Sequence, residues 1–285
     1  MKILVTGSNG MLGREFMEVG KGMGHMMIGW TRKELELEKP EGGIRRLGEL
    51  KPDVVVHCAA ETHVDLCEQQ PERAIQVNAV AAGDLAKTVQ ANKARFVFVS
   101  TGGLFDGRKS GPYGEVDHPR PCTVYGQSKL EGERRVLAAS PGALILRAGW
   151  LFGGSLNLKK NFVGARLREA EENEVIRSAS DKLGSPTWTR NFSAGAMQLL
   201  EQGRQGLFHL ANQGAATRQE YVAQILRLAG KKNRVEGVDS SRFPRVAPVP
   251  ANESLRSERP DAPPMPEWKI SLQTYLQSVN VPVEC

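Results

Sequence analysis

The chain has 285 residues, of which 40% are hydrophobic and 25% charged, and its formal net charge is +6. This length accommodates one large domain and a smaller one, and the composition is that of a globular protein. The basic residues are interleaved with acids, which disfavours nucleic-acid binding, and no apolar run is long enough to span a bilayer. The apolar start MKILV is too short for a signal-peptide core, so we expect a cytoplasmic location and no membrane partner.

Strand-like and helix-like segments alternate through the first half of the chain. Apolar, β-rich runs predict strands over residues 3–5, 26–30, 53–60, 95–100 and 143–147. Helix-forming stretches between them predict helices over residues 11–20, 71–92 and 125–139. Near-continuous apolar strands separated by helices indicate an α/β fold, with a parallel sheet covered on both faces.

Beyond about residue 150 the sequence changes in character. Turns and extended loops become frequent, as in residues 184–187 and in the proline-rich stretch 260–266. We predict a first domain over residues 1–150, which a later segment rejoins, and a smaller second domain over 151–285. The second domain is expected to pack over the carboxyl edge of the sheet.

The cysteines show no C-x-x-C pair, so we expect reduced thiols and no metal site. They are Cys58, Cys67, Cys122 and Cys285. Three nearby acids could suggest a metal site, but a solvated acidic loop accounts for them as well. These acids are Glu61, Asp65 and Glu68.

The first strand runs directly into a glycine-rich turn, in which Gly7, Gly10 and Gly13 give the spacing G-x-x-G-x-x-G. Such a turn needs a residue that tolerates positive φ, and its backbone must approach a diphosphate without a Cβ in the way. The helix that follows points its first N–H groups at the anion. The position after a strand and before a helix predicts a Rossmann dinucleotide-binding domain over residues 1–150.

The end of the second strand bears on which nicotinamide cofactor is bound. An acid there would bind the ribose 2′-hydroxyl of NAD, but this chain has Trp30-Thr31-Arg32-Lys33. Arg32 could pair with a 2′-phosphate, which favours NADP(H). If Arg32 and Lys33 form only a solvated turn, NAD(H) remains open.

Tyr125 and Lys129 have the spacing Y-x-x-x-K at the start of a predicted helix, so both project from one helix face. A nearby ammonium is expected to lower the pKa of the phenol, which is near 10 when unperturbed. Tyr125 could then protonate a carbonyl oxygen while hydride reaches the carbon. A hydroxyl from Ser100 or Thr101, where a strand ends, could bond the same oxygen.

Several segments in order resemble the extended short-chain dehydrogenase/reductase family and, within it, the dTDP-4-dehydrorhamnose reductases. They include MKILVTGSNGMLG, PDVVVHCAAETHVDLCEQQPERAIQVNA, VYGQSKLEGE, LRAGWLFG and SDKLGSPTWT, and together they span nearly the whole chain. The resemblance implies that NADPH or NADH reduces the 4-keto group of a nucleotide-linked deoxysugar, converting dTDP-4-dehydrorhamnose to dTDP-L-rhamnose for cell-surface polysaccharide. It also implies a nucleotide-sugar partner, and a homodimer is left open.

The resemblance assigns roles to individual positions. It places the diphosphate at Gly7, Gly10, Met11 and Leu12, and the rest of the cofactor beside Ala59, Ala60 and Lys129. It places the sugar near Thr62, Val64 and Trp150. It implies a catalytic trio of Thr101, Tyr125 and Lys129.

Two departures from the family pattern stand out. An acid and a tyrosine that usually follow the threonine are replaced by Gly102 and Gly103. Near Pro250, the usual arginine before the proline is Val249, and the usual serine after the asparagine is Glu253. The lost tyrosine would have lined the substrate pocket, so the first change bears on substrate identity. If the usual arginine contacts the nucleotide, the second change bears on recognition of the base or phosphate.

Two alternatives to the reductase remain. One is a sugar epimerase or 4,6-dehydratase on the same scaffold, but Gly102 and Gly103 lack the acid pair that dehydration needs. The other is a non-catalytic, cofactor-binding regulatory subunit, like that of methionine adenosyltransferase. The altered glycine segment favours it, whereas the intact Thr101, Tyr125 and Lys129 count against it.

Overall fold

The structure, a computed structural model, describes residues 1–283 and alternates strands with helices through most of its length. The strands are β1 (Lys2–Thr6), β2 (Met26–Trp30), β3 (Val54–His57), β4 (Arg95–Thr101), β5 (Leu144–Ala148), β6 (Trp150–Phe152), β7 (Val175–Ala179), β8 (Leu183–Gly184), β9 (Pro186–Trp188), β10 (Gly206–Leu210), β11 (Ala216–Thr217) and β12 (Arg234–Val238). The helices are α1 (Met11–Gly22), α2 (Glu41–Leu50), α3 (Val64–Gln69), α4 (Pro71–Ile75), α5 (Ala81–Ala91), α6 (Val124–Ala139), α7 (Phe162–Glu172), α8 (Thr189–Glu201), α9 (Arg218–Leu228) and α10 (Trp268–Ser278).

Six of these strands form one parallel sheet in the order β10–β5–β4–β3–β1–β2. The chain starts inside the sheet at β1, steps outward to β2, and then returns to the other side of β1 as β3. The strand order therefore reverses between β1 and β3, and ligands of open α/β sheets bind at the carboxyl ends beside such a reversal. This doubly wound arrangement confirms the fold class predicted from the sequence.

Both faces of the sheet are buried, which explains why its strands are apolar along their whole length. Ile3 and Val5 face one layer, in which Phe16 of α1 packs edge-to-face against Phe192 of α8. Leu4 faces the opposite layer, formed largely by α5 and α6. Successive side chains of β1 thus anchor helices on opposite sides, and the loops at its carboxyl end are held between two packed layers.

Two predicted elements differ in detail from the structure. The helix expected over residues 71–92 is divided into α4 and α5 by a π-helical turn, Gln76–Val80. Asn78 of this turn is buried, and its amide donates to the Glu61 carbonyl and the Ser128 hydroxyl. The strand expected over residues 53–60 ends at His57, and the following residues form a loop.

Residues after β6 build a third core and also complete the first sheet. The third core joins α7, α9 and α10, with Tyr221 and Tyr275 among its fully buried side chains. By contrast, β10 and α8 pack with the large sheet, although both lie beyond residue 150. The division at residue 150 stays a prediction, and β10 is a segment that rejoins the sheet.

Within residues 1–283, none of the helices combines the length and apolarity needed to cross a membrane.

Candidate active site

A cavity of about 630 Å³ lies over the carboxyl ends of the sheet strands. It brings together residues from five separate stretches of the chain that the sequence predicts to bind cofactor or substrate or to act in catalysis. They are Gly7, Gly10, Met11, Leu12, Gly13, Arg32, Ala59, Ala60, Thr62, Thr101, Tyr125 and Lys129. Their convergence follows from the fold, because parallel strands present all their carboxyl ends at one edge.

The glycine turn has the geometry of a phosphate cradle. Gly7 adopts a φ of 65°, and a Cβ there would lie 3.0 Å from the backbone of Ala59. A Cβ at Gly13 would overlap the Gly7 carbonyl, so the turn packs directly on α1. No side chain caps the start of α1 at Gly10, and the first turn carries no acid. The N–H groups at the start of α1 therefore face the cavity without a protein anion, which fits a bound diphosphate.

The end of β2 contributes Thr31 and Arg32 to the cavity. The Glu34 carboxylate accepts hydrogen bonds from both the backbone N–H and the hydroxyl of Thr31, each at 2.7 Å, and these bonds lower the pKa of Glu34. Arg32 itself is exposed and forms no ion pair with residues 1–283. Its guanidinium is thus available to an anionic group of a ligand.

The loop after β3 places Ala59, Ala60 and Thr62 on the cavity wall. The Thr62 hydroxyl accepts a hydrogen bond at 2.9 Å from Nζ of Lys160, which also lines the cavity. Val64 differs from these residues. It begins α3, is half-buried and lines neither of the two described cavities.

Tyr125 and Thr101 meet at the inner end of the cavity. The Thr101 hydroxyl lies close enough to Tyr125 to act on the pKa of its phenol, and it accepts the N–H of Gly103 at 3.1 Å. Burial raises the pKa of Tyr125 to about 12, the nearby Thr101 hydroxyl opposes this shift, and the charge of Glu253 adds to it. Tyr125 is therefore protonated at neutral pH, as a proton donor must be.

Lys129 is 3% exposed and lies with its Nζ 4.0 Å from the centre of the Phe98 ring. Burial lowers the pKa of Lys129 to about 8, although the carboxylate of Glu133 acts in the opposite direction. The ammonium thus remains mostly charged at neutral pH but is close to titration.

The direction of the Tyr125 pKa differs from the expectation stated from the sequence. A nearby ammonium was expected to lower it, but burial dominates and Lys129 is not among the groups that shift it. The charge of Lys129 is directed at Phe98 instead. The i, i+4 spacing places both side chains on one face of α6, but it does not determine the surroundings that set the pKa of each.

Ser100 is the other hydroxyl proposed at the end of β4. It lines the cavity and is 4% exposed, yet its Oγ has no hydrogen-bond partner in the structure. A buried hydroxyl without a partner costs free energy unless a ligand or water satisfies it. Ser100 therefore fits a polar ligand group in the cavity.

A second cavity, of about 330 Å³, contains Trp150. The Trp150 indole donates to Oε2 of Glu253 at 2.9 Å, and the guanidinium carbon of Arg218 lies 3.4 Å from the centre of its ring. Burial lowers the pKa of Arg218 to about 10, and Glu253 opposes that shift. Lys182 and Arg245 also line this cavity, so it is rich in cations.

Gly103 and Glu253, two positions at which the chain departs from the family pattern, are neighbours in space. A Cβ at Gly103 would lie 3.1 Å from Oε1 of Glu253, and a Cβ at Gly102 would lie 2.7 Å from the Glu253 carbonyl. Two segments that are 150 positions apart in the chain therefore touch beside Thr101. Their joint departure from the family pattern affects the space between Thr101 and the second cavity, which Glu253 lines.

Sequence reasoning did not identify Lys160 or Arg218. Lys160 lies in a loop outside any motif, and Arg218 begins α9 far along the chain. Both are isolated cations in a chain with 38 lysines and arginines, so no local pattern distinguishes them.

Among residues 1–283, no group of three or more potential ligand side chains is arranged to hold a metal ion. Instead of clustering, the acidic loop residues are paired: Glu61 with Arg73 at 2.9 Å, and Asp65 with Arg245 at 3.3 Å. Cys58, Cys67 and Cys122 are free thiols, and Cys285 lies outside the described residues. The metal-free site stays a prediction.

Comparison with known proteins gives concordant matches along the chain. The family model described as RmlD substrate binding domain matches residues 1–281. A dTDP-4-dehydrorhamnose reductase of Mycolicibacterium smegmatis is 34% identical over 98% of this chain and 86% of its own. The crystal structure of a dTDP-4-dehydrorhamnose reductase from Clostridium acetobutylicum has a TM-score of 0.93 at 33% identity, over 98% of this chain and 99% of that one. The enzyme of the same name from Bacillus anthracis, in complex with NADP, has a TM-score of 0.92 at 28% identity, over 98% and 100% of the two chains.

Proposed function

Because this chain belongs to the dTDP-4-dehydrorhamnose reductase family, we propose that it reduces dTDP-4-dehydrorhamnose to dTDP-L-rhamnose at the 4-keto group, using NADPH. The observation that carries this proposal is that Thr101, Tyr125 and Lys129 line the same cavity as the glycine turn. A cofactor at the turn and a ketone at Tyr125 would thus lie within one continuous space. The product would enter the synthesis of cell-surface polysaccharide.

The cofactor site is built from the turn, the loop after β3 and Arg32. The diphosphate would lie on the N–H groups of Gly10, Met11 and Leu12, where Gly7 and Gly13 leave room for it. Ala59 and Ala60 would border the adenosine half, and Arg32 would pair with the 2′-phosphate of NADP(H). Lys129 would hold the nicotinamide ribose. NAD(H) fits the same turn but leaves Arg32 without its anion.

Reduction needs a hydride at the ketone carbon and a proton at its oxygen. NADPH supplies the hydride when bound. Tyr125 carries the proton at neutral pH and donates it to the oxygen, which Thr101 holds by a hydrogen bond. Lys129, whose charge does not act on the phenol of Tyr125, would contribute by holding the nicotinamide ribose. The high pKa of Tyr125 means that its phenolate regains a proton readily from water before the next turnover.

The second cavity suits the nucleotide of the substrate. Lys182, Arg218 and Arg245 supply positive charge for a diphosphate, and the 43% exposed ring of Phe243 offers a stacking surface for a base. Trp150 would pack between nucleotide and sugar, and Thr62 would approach the sugar from the first cavity. Val64 lines neither cavity, so it would be near the sugar only because it lies two residues after Thr62, which lines the first cavity.

The decisive experiment mixes the purified protein with NADPH and freshly made dTDP-4-dehydro-6-deoxy-L-lyxo-hexose, and follows the absorbance of the reduced nicotinamide. We expect stoichiometric oxidation and formation of dTDP-L-rhamnose. Cofactor binding without oxidation would overturn the reductase assignment and favour the regulatory-subunit alternative. The cytoplasmic location and a homodimer stay predictions, which cell fractionation and light scattering would test.

A further inference from the structure

The carboxylate of Glu253 occupies space that a side chain at position 103 would otherwise claim. Its Oε1 lies 3.1 Å from the place of a Cβ on Gly103, a distance tighter than ordinary van der Waals contact. A side chain at position 103 would therefore force the Glu253 carboxylate to shift by a few tenths of an ångström. Gly103 leaves room beside Thr101, and Glu253 fills it from another part of the chain.

One hydrogen bond orients this carboxylate, and its donor is held in turn by a stacked arginine. Oε2 accepts the indole N–H of Trp150 at 2.9 Å, and Arg218 stacks on the same indole at 3.4 Å. The charge of Glu253 in turn acts on the pKa values of both Arg218 and Tyr125. In the structure, Glu253 lines the cationic second cavity and reaches Gly103, where a Cβ would lie 3.5 Å from the Thr101 hydroxyl.

The second carboxylate oxygen, Oε1, accepts no hydrogen bond from any residue within 1–283, although Glu253 is half-buried. We propose that Glu253 is a specificity-determining residue, which accepts a hydrogen bond through Oε1 from a ring hydroxyl of the bound 4-keto sugar. This inference rests on the proposed function, since it concerns the sugar that the reductase would bind.

The chemistry of a carboxylate defines the class of sugar it selects. An ionised carboxylate accepts hydrogen bonds and donates none, so it favours a sugar hydroxyl and repels a sugar carboxylate. A phenol at this position would instead present a ring face and a group that can donate. The exchange of tyrosine for glutamate therefore selects against uronic acids and against sugars that lack the facing hydroxyl.

A double-mutant cycle between protein and ligand tests the contact. Binding of dTDP-L-rhamnose and of its 2-deoxy and 3-deoxy analogues is measured by calorimetry in the presence of NADP⁺, for the wild type and for Glu253→Met. Methionine has similar length and no acceptor oxygen. We expect the wild type to bind one of the deoxy analogues at least about tenfold more weakly than dTDP-L-rhamnose. Glu253→Met should bind that analogue and dTDP-L-rhamnose equally well.

Two further variants serve as controls. Glu253→Gln keeps a carbonyl acceptor and should retain part of the discrimination, whereas Glu236→Gln changes an exposed carboxylate on β12 and should retain all of it. Unchanged NADPH binding by each variant verifies that it folds. If Glu253→Met does not fold, Glu253→Ser, which has the residue usual in the family, carries the same cycle.

The outcomes separate this inference from the proposed function. Equal penalties for the deoxy analogues in wild type and Glu253→Met would overturn the role of Glu253, whether or not the protein turns over. Discrimination that depends on Glu253, without any oxidation of NADPH by the 4-keto sugar, would support the contact and overturn the reductase assignment. Failure to bind any of these nucleotide sugars would overturn both.

Discussion

The ammonium of Lys129 lies against the face of Phe98, with Nζ 4.0 Å from the ring centre. It does not shift the pKa of Tyr125, although both side chains project from one face of α6. The ring compensates part of the cost of burying a charge that is only 3% exposed. The compensation is incomplete, because burial still lowers the pKa of Lys129 to about 8. Lys129 is thus a charged side chain retained in an unfavourable environment, as expected for a group kept for its function.

The rate should depend on the protonation of Lys129. Tyr125, with a pKa of about 12, keeps its proton across the accessible range, whereas Lys129 loses its charge as the pH rises through about 8. We therefore expect kcat/KM to fall above pH 8, which initial rates measured across a pH series would show. A flat profile up to pH 10 would contradict a role for the charged form.

Replacing the lysine should stabilise the protein while removing its activity. Folding lowers the pKa of Lys129 from 10.5 to about 8. Each pKa unit corresponds to about 1.4 kcal/mol, so below pH 8 the buried charge lowers the free energy of unfolding by up to about 3 kcal/mol. The unfolded chain binds more protons between pH 8 and 10.5, so this cost disappears as the pH rises through that window. Lys129→Met should raise the free energy of unfolding in urea at pH 7.

The exposed Lys87→Met on α5 is the matched control, and it should change stability by less than about 0.5 kcal/mol. A Lys129→Met protein no more stable than the wild type at pH 7 would show that the buried charge is better compensated than the geometry suggests.

Removing the Tyr125 hydroxyl should leave cofactor binding intact and lower kcat about 10²- to 10⁴-fold, because a positioned proton donor contributes that much. Stopped-flow oxidation of NADPH by Tyr125→Phe measures the loss. Tyr113→Phe is the control, since its phenol bonds Asp106 outside the cavity. A near-native rate for Tyr125→Phe would remove this residue from the acid role.

The exposed guanidinium of Arg32 should distinguish the two nicotinamide cofactors. Arg32→Ala is expected to weaken the binding of NADPH about tenfold to a hundredfold and to leave the binding of NADH unchanged. Only NADPH carries a 2′-phosphate that can accept the charge-assisted hydrogen bond. Fluorescence titration of both cofactors checks this, with the neighbouring Lys33→Ala as control. An equal effect on both cofactors would refute the pairing.

A buried ion pair behind the site should matter for stability. Arg147 of β5 contacts Glu133 of α6 through two hydrogen bonds of 2.8 and 2.9 Å, and their side chains are 4% and 6% exposed. Glu133→Gln should lower the free energy of unfolding by about 3 to 5 kcal/mol, because it leaves the Arg147 charge buried and unpaired.

The surface pair on the same helix provides the control for this prediction. Glu131 contacts Arg135 at 2.8 Å where both are accessible, so Glu131→Gln should cost less than about 1 kcal/mol in the same denaturant experiment. Similar losses for the two glutamine variants would show that burial does not decide the contribution of the ion pair.

The sequence by itself determined the features that depend on local pattern. The glycine turn, the alternating apolar strands and the Tyr125–Lys129 spacing each follow from backbone conformation or helix geometry within a few residues. Since parallel strands share one carboxyl edge, the order of the elements was also enough to bring Gly7, Thr101 and Tyr125 to one cavity.

Only the tertiary structure decided what depends on distant contacts. No local pattern places Glu253 beside Gly103, or Arg218 on Trp150, because each pair joins segments with no short-range relation in the chain. The same holds for the pKa of Tyr125, which burial by the surrounding fold raises against the expected influence of Lys129. Burial is the sum of many remote contacts, and the spacing of two residues on a helix does not contain it.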